Sequence, residues 1–264
     1  MKTEFWKNLM KEAAHLDYGS PLPELDKQFL SVWSSHYARI ADMTVPGKTI
    51  LEIGAGFGIL AAGLGRIGGR KIWASEHPSR SYLFQQEYQN FMNQNNVLLI
   101  ANNLSEGLPF SDRVFSQVYF CDVIEHLFFQ DVNKILPEIF RVLSDEGELI
   151  LSTPNLNRLS NIFRFFMGYS VNPPFQVEKC GDTFGHIREF APREIDRLLR
   201  GFGLEPIRYK FALNPYFTAE AFGAENIFSP VQAKIINRLT SVCSKFFPRL
   251  GDEIYLVARR SRNS

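Results

Sequence analysis

Short β-rich runs alternate with helical stretches through the first 155 residues, and this alternation limits the possible folds more than any other feature. The runs span residues 48–53, 71–75, 97–100, 114–121 and 147–153. Strands separated by single helices are joined by right-handed crossovers, which predicts a mostly parallel sheet with helices on both faces. Two later runs, 204–211 and 253–259, complete a predicted seven-stranded, doubly wound α/β sheet.

Helical segments flank this core. Residues 1–45 predict a helical N-terminal cap, and residues 46–155 form the core with its strands. After it, the segments 156–190 and 213–250 interrupt the alternation and contain many of the 24 phenylalanines of the chain. A bare loop of that length is uncommon in a compact domain, so helices are expected there. We therefore predict a single domain over residues 1–264 with two late insertions.

Charge and cysteine content exclude several classes of function. The net charge is +1 and no polybasic block is present, which argues against a nucleic-acid partner. The three cysteines, Cys121, Cys180 and Cys243, have no C-x-x-C spacing, which argues against a disulfide framework and a cysteine zinc site. No apolar run approaches the roughly 20 residues that cross a bilayer, and the charged first residues are unlike a signal peptide. A cytoplasmic protein is expected.

The most informative segment is the glycine-rich turn after the first strand, which contains Gly54, Gly56 and Gly58. Glycines at such a turn allow positive φ and let a ligand approach the backbone. Glu76 ends the second strand, 20 residues after Gly56, where a carboxylate can accept hydrogen bonds from both ribose hydroxyls. In parallel sheets ligands bind beyond the carboxyl ends of the strands. Together these residues predict a site for a nucleoside-containing cofactor.

Four segments in order resemble the class I S-adenosylmethionine-dependent methyltransferases, in the branch that includes ubiquinone- and menaquinone-pathway and glycan-cluster enzymes. They are Leu51-Glu-Ile-Gly-Ala-Gly-Phe-Gly58, then Leu108-Pro-Phe-Ser-Asp112 with 115–127, then 139–155, and last Gly185-His-Ile-Arg-Glu-Phe190. The resemblance covers residues 48–210. It implies a Rossmann-like fold, the cofactor S-adenosyl-L-methionine and transfer of its methyl group.

The resemblance also implies cofactor-binding roles. Gly54, Ala55 and Gly56 would face the amino-acid part of the cofactor, with Glu52 supporting the turn and Glu76 holding the ribose. The remaining implied contacts are Asn103 or its neighbour Asn102 with Leu104 near the adenine, and Cys121 and Asp122 beside the methionine part. Two departures stand out: asparagine replaces the usual aspartate in the adenine region, and Ser116 replaces an aspartate at a strand start.

Methyl transfer from a sulfonium needs little covalent chemistry from the protein, which must align the acceptor and exclude water. A general base helps when the acceptor is a hydroxyl, and transfer to oxygen is expected. His186 and His126 are the candidate catalytic residues, and the alternative for both is a structural, orienting role. His36 contacts the cofactor if its helix caps the site.

No metal site is predicted. Asp122, Glu125 and His126 lie across one strand-to-helix turn, and the sequence does not place the further carboxylate ligands that a metal-dependent site would need.

The acceptor is expected to be a small molecule or a lipid- or sugar-linked compound. Residues 156–180 leave the active-site edge of the fifth strand and are rich in phenylalanine, which favours a lid over an apolar pocket. A helix packed on the sheet without substrate contact is the alternative. Two other functions stay open: an NAD(P)-binding oxidoreductase, which the G-x-G-x-G spacing disfavours, and a non-catalytic cofactor-binding module.

Residues 234–247 predict an amphipathic helix with an apolar stripe and the cations Lys234, Arg238 and Lys245 off that stripe. Such a helix either rests in a membrane interface or packs its stripe on the sheet. Three cations attract anionic lipid only weakly, so at most weak peripheral membrane contact is expected.

Overall fold

The computed structural model describes residues 2–16, 27–45, 48–68, 71–171, 186–214 and 230–261. The strands are β1 Ile50–Ile53, β2 Ile72–Glu76, β3 Val97–Ala101, β4 Phe115–Cys121, β5 Leu143–Pro154, β6 Leu204–Ala212 and β7 Glu253–Arg260. The α-helices are α1 Lys2–Ala13, α2 Lys27–Ala41, α3 Ile59–Gly68, α4 Gln86–Gln94, α5 Phe129–Val142, α6 Leu159–Phe166, α7 Pro192–Gly201 and α8 Pro230–Phe246.

The seven strands form one sheet in the order β3-β2-β1-β4-β5-β7-β6. Strands β1 to β5 are parallel, and β7 runs antiparallel between β5 and β6. The predicted doubly wound, mostly parallel sheet is confirmed. Strand β5 begins at Leu143, earlier than the predicted residue 147, because α5 passes directly into it at Val142.

Helices cover both faces of the sheet, so its central strands are buried on both sides. One apolar cluster joins the sheet to α1, α2, α3 and α4, and the fully buried Trp6 lies in it. The other joins the opposite face to α5 and α7 through Ile139, Ile195 and neighbouring side chains. The N-terminal cap is therefore an integral part of the core.

On helix α8, most of the described side chains of the predicted apolar stripe are exposed instead of packed on the sheet. The helix contacts α6 and the turn Pro248–Leu250. Ile235 remains 55% exposed and Phe246 76% exposed, while Phe166 of α6 is 80% exposed. The expected lid residues 172–185 and 215–229, with Cys180, lie outside the described part of the chain. Among the described helices, none has the length and apolar content that crossing a membrane requires.

The contact between α3 and the end of α4 tests this packing. A Cβ at Gly65 would lie 2.0 Å from the backbone oxygen of Asn95, whereas a Cβ at Gly68 would meet nothing within 4 Å. We expect Gly65→Ala to lower the free energy of unfolding by about 1–3 kcal/mol through overpacking. The control Gly68→Ala should leave it unchanged or raise it by up to about 1 kcal/mol. Urea denaturation measures both, and equal stability of the two variants would contradict the packing.

Candidate active site

Four parallel strands end side by side at one edge of the sheet, in the spatial order β2-β1-β4-β5. Glu76 ends β2, the glycine turn follows β1, and Asp122 follows β4. A Cβ placed on Gly54 would lie 2.5 Å from a methyl carbon of Val123, which shows how closely the turns after β1 and β4 approach each other. The candidate residues after these strands are thus brought into one region.

The glycine turn is held open by backbone hydrogen bonds. The N–H groups of Gly54 and Ala55 donate to the Ser75 carbonyl at 2.9 and 3.0 Å. Gly54 and Gly56 have φ values of +73° and +52°, which side-chain-bearing residues rarely adopt. A Cβ on Gly56 would meet no atom within 4 Å. Open space over this backbone suits a ligand that approaches it closely.

Glu76 lies beside this open turn. Its carboxylate accepts hydrogen bonds from the Gly56 N–H at 2.6 Å and from the His77 N–H at 2.7 Å. The Asn102 N–H donates to the Glu76 carbonyl at 2.8 Å and so fixes the next turn against the strand end. The carboxylate is only partly buried and keeps acceptor capacity for the hydroxyls of a ligand.

Glu52 lies beneath the turn. It is buried, and its carboxyl group accepts a hydrogen bond from the backbone of Ala61 in the first turn of α3. Burial raises the pKa of Glu52 well above its usual value, and the negative charge of Glu76 raises it further. Glu52 is therefore placed to support the turn from below.

The asparagines after β3 form local hydrogen bonds. The Asn103 side chain accepts from the Ser105 N–H at 3.1 Å and caps the short helical turn that begins at the half-buried Leu104. The Asn102 side chain donates to the Gly107 carbonyl at 3.0 Å. Both amides thus order the loop on the β3 side of Glu76.

Asp122 has φ +54°, an unusual conformation for a residue other than glycine. Such backbone strain is often found at functional sites. One carboxylate oxygen lies 2.8 Å from His36 Nε2, and the other accepts a hydrogen bond from Ser152 Oγ at 2.9 Å. Burial opposes ionisation of Asp122, but His36 and Ser152 outweigh it and lower its pKa. The neighbouring Cys121 thiol has a raised pKa because of burial and the Asp122 charge.

His36 of α2 is 1% exposed and joins Asp122 to strand β7. Its Nδ1 lies 2.8 Å from the Tyr255 hydroxyl and 3.3 Å from a Glu253 carboxylate oxygen. Tyr255 also donates to Glu253. Burial alone would lower the pKa of His36, but the Asp122 and Glu253 carboxylates raise it to about 10. His36 is therefore a buried imidazolium between two carboxylates.

A second cluster lies on the β5 side of Asp122. One donor atom from each of Glu125, His126 and His186 lies within 4.8 Å of the others, and the two imidazole rings are 5.0 Å apart. The N–H groups of Ile187 and Arg188 donate to the Glu125 carbonyl, at 2.7 and 3.1 Å, and tie this segment to the turn after β4.

Hydrogen bonds from behind orient this cluster. Thr153 Oγ1 donates to Glu125 at 3.1 Å, and His186 Nδ1 lies 3.3 Å from Glu189. The buried Glu189 accepts from Arg158 at 2.6 Å. Burial and the Asp122 charge raise the pKa of Glu125 well above its usual value. Burial opposes ionisation of Glu189, yet His186 and Arg158 lower its pKa.

Sequence reasoning singled out His126 and His186 separately and missed Glu189, Glu253 and Tyr255. The structure brings the two histidines together although they are 60 positions apart in the sequence. It places His36 against Asp122 and β7. The strand 253–259 is otherwise mostly apolar. The polar residues Glu253 and Tyr255 in it were the available signal that both have buried polar partners.

Comparisons with known proteins bear on the family and the fold. A family model described as a methyltransferase domain matches residues 25–209. No curated protein matches the chain in a sequence search. The chain is similar in fold to a putative sarcosine dimethylglycine methyltransferase from Galdieria sulphuraria, with 15% identity, a TM-score of 0.53 and 98% of each chain covered.

Two further structures are similar in fold. The phospholethanolamine N-methyltransferase 2 of Haemonchus contortus, in complex with phosphomonomethylethanolamine and S-adenosylhomocysteine, is 15% identical with a TM-score of 0.55. The match covers 86% of this chain and 53% of that one. The cyclase SpnF is 17% identical, with a TM-score of 0.59 and coverage of 98% and 93%. At these identities the similarity shows the fold alone.

The buried His36 predicts a specific dependence of stability on pH. Its folded pKa of about 10 exceeds the unfolded value of about 6.5, so its stabilisation is complete below pH 6.5 and is lost as pH rises through 10. We expect the wild-type advantage over His36→Gln in unfolding free energy to shrink by at least about 1 kcal/mol between pH 6 and pH 10. Urea denaturation at both pH values measures it. The control His77→Gln changes an exposed histidine. An equal change in unfolding free energy between pH 6 and pH 10 for that variant would contradict the raised pKa of His36.

Proposed function

This chain belongs to the methyltransferase family whose domain model spans residues 25–209, and from that premise we propose that it methylates an oxygen of a small-molecule, lipid-linked or sugar-linked acceptor. S-adenosyl-L-methionine is the cofactor. The observation that carries the proposal is the open glycine turn, hydrogen-bonded to Glu76, at the same sheet edge as the Glu125–His126–His186 cluster.

The residues present fit this cofactor. The uncovered backbone at Gly56 and the partly exposed Glu76 carboxylate offer room and acceptors for its amino-acid and ribose parts. The other residues proposed to hold it are Glu52 and Gly54 with Ala55 around the turn, Asn103 and Leu104 near the adenine, and Cys121 and Asp122 beside the methionine part. When bound, the cofactor supplies a methyl group on a positively charged leaving group.

The acceptor side is assigned to His126 and His186. Both imidazoles are half-buried beside the buried Glu125, and His186 is oriented by Glu189. We assign to this pair the orientation of the acceptor hydroxyl and promotion of its proton loss, a contribution of typically 10²–10⁴-fold. Asp122, fixed by His36 and Ser152, precedes His126 by four residues in the same connection after β4.

Exposed aromatic side chains support an acceptor with an apolar part. Phe165 and Phe166 of α6 and Phe246 of α8 are each at least 70% exposed, and the two helices are in contact. The resemblance to ubiquinone- and menaquinone-pathway and glycan-cluster enzymes supports the same acceptor classes. The family match favours methyl transfer over the oxidoreductase alternative.

Loss of the Glu76 carboxylate tests the cofactor site. We expect Glu76→Ala to weaken S-adenosylmethionine binding by roughly 1.5–3 kcal/mol, about 10–150-fold, because two charge-assisted hydrogen bonds are lost. Gly56→Val should weaken it more, since a β-branched side chain disfavours φ +52° and fills the open space. Titration calorimetry measures both, with the exposed Glu87→Ala as control. Wild-type affinity in both variants would show that the cofactor binds elsewhere.

A turnover assay tests the acceptor side. The protein is incubated with S-adenosylmethionine and a panel of phenols, catechols, prenylated phenols, sugars, carboxylic acids and amines, and S-adenosylhomocysteine release is measured. Mass spectrometry of the product identifies the methylated atom. We expect His186→Ala to lower the rate about 10²–10⁴-fold with unchanged cofactor affinity, and the exposed His15→Ala to react normally. Near-normal turnover in His186→Ala would assign that histidine a structural role. Cofactor binding without turnover on any acceptor would favour a non-catalytic module.

A further inference from the structure

Glu125, His126 and His186 together have the composition of a metal site, which neither the sequence nor the family comparison assigns. We propose that these three residues bind one divalent first-row transition-metal ion, for which Zn²⁺ is the best-fitting choice. Two imidazoles and one carboxylate are a common ligand set for catalytic zinc, and imidazole selects such ions over Mg²⁺ and Ca²⁺.

The donor geometry is close to that of a bound ion. The three donor atoms lie within 4.8 Å of one another. Zinc bonds of about 2.0–2.2 Å place the ligands of one ion no more than about 4.4 Å apart. Small rotations of the two half-buried imidazoles therefore suffice to close the cluster around an ion. The backbone around the cluster is already ordered, because Ile187 and Arg188 fix the His186 segment to the Glu125 carbonyl.

Groups behind the donors match the outer shell of metal sites. A histidine that binds a metal usually presents its other ring nitrogen to a carboxylate, which fixes the ring and raises its basicity. His186 presents Nδ1 to Glu189 at 3.3 Å, so we assign Nε2 to the ion. Glu189 is itself held by Arg158 at 2.6 Å. Thr153 orients the Glu125 carboxyl in the same manner, at 3.1 Å.

Charge also favours a cation here. Glu125 is 1% exposed, so without an ion its carboxyl group holds a proton; the ionised form is stable there only when it is paired or binds a metal, and ion binding would release that proton to solvent. Among the described residues, none of the ion pairs involves the Glu125 carboxylate. Asp122 is not a ligand in this assignment, because His36 and Ser152 engage both of its carboxylate oxygens.

The role of the ion rests on the proposed function. Three protein ligands leave an open position, as in catalytic zinc sites. There the ion would orient an acceptor hydroxyl and lower its pKa, and the released proton passes to solvent. The oxidation state of the metal does not change. His126 and His186 would then promote proton loss as ligands of the ion.

The test measures metal binding to the full chain without cofactor or acceptor, so failure of the proposed function does not affect it. Protein stripped with EDTA and dialysed is titrated with ZnCl₂ by calorimetry, and with CoCl₂ by visible absorption. We expect one ion per chain. His126→Gln and His186→Gln should each weaken binding at least about tenfold, while His15→Gln binds as the wild type. Circular dichroism confirms that the variants are folded.

Three results would overturn the site: no zinc binding, binding unchanged in both cluster variants, or a thiolate-to-cobalt charge-transfer band that places the ion on a cysteine. Methyl transfer at full rate by EDTA-stripped protein would also overturn its catalytic role. Zinc binding that depends on both histidines, with no turnover on any acceptor, would support the metal site and contradict the proposed function. The two proposals can therefore fail separately.

Discussion

The charged contact of His36 with Asp122 and Glu253 links the parts of the molecule that must meet at the site. His36 belongs to the N-terminal cap, Asp122 to the turn after β4, and Glu253 to the antiparallel strand β7. Burying His36 and Glu253, with Asp122 partly buried beside them, costs several kcal/mol for each fully buried group before it is paired. Hydrogen bonds from Tyr255, Ser152 and Asn214 offset part of that cost. Such a network is satisfied in only one relative placement of these elements.

This placement explains the strained backbone of Asp122. A φ of +54° is unfavourable for aspartate in isolation, and the surrounding structure has to impose it. Here an imidazolium on one side and a serine hydroxyl on the other fix the carboxylate. The same turn then carries Glu125 and His126 toward the β5 side. One short connection after β4 thus contributes Asp122 to one cluster and Glu125 with His126 to the other.

Local patterns were sufficient to predict the sheet, because each strand and each glycine turn is encoded by neighbouring residues. The clusters required information that a single sequence does not hold. His36 and Glu253 are 217 positions apart, and their contact exists only once β7 inserts between β5 and β6. His186 was identifiable as a candidate, but its proximity to His126 was not. For α8 the local pattern predicted the helix but not its environment. The same periodicity of apolar residues fits a helix packed on the sheet and a helix whose apolar side chains are exposed.

The ion pair between Arg158 and Glu189 has a further consequence for how such a protein can diversify. These residues are 31 positions apart, and both are buried within hydrogen-bonding distance at the base of the segment they bracket. When the two ends of a segment are held together, changes in the residues between them need not displace those ends. Changes of sequence between α6 and His186 can therefore leave His186 beside Glu125, because Ile187 and Arg188 fix it there independently. Under the proposed function, acceptor preference and the position of the reactive groups can therefore evolve independently.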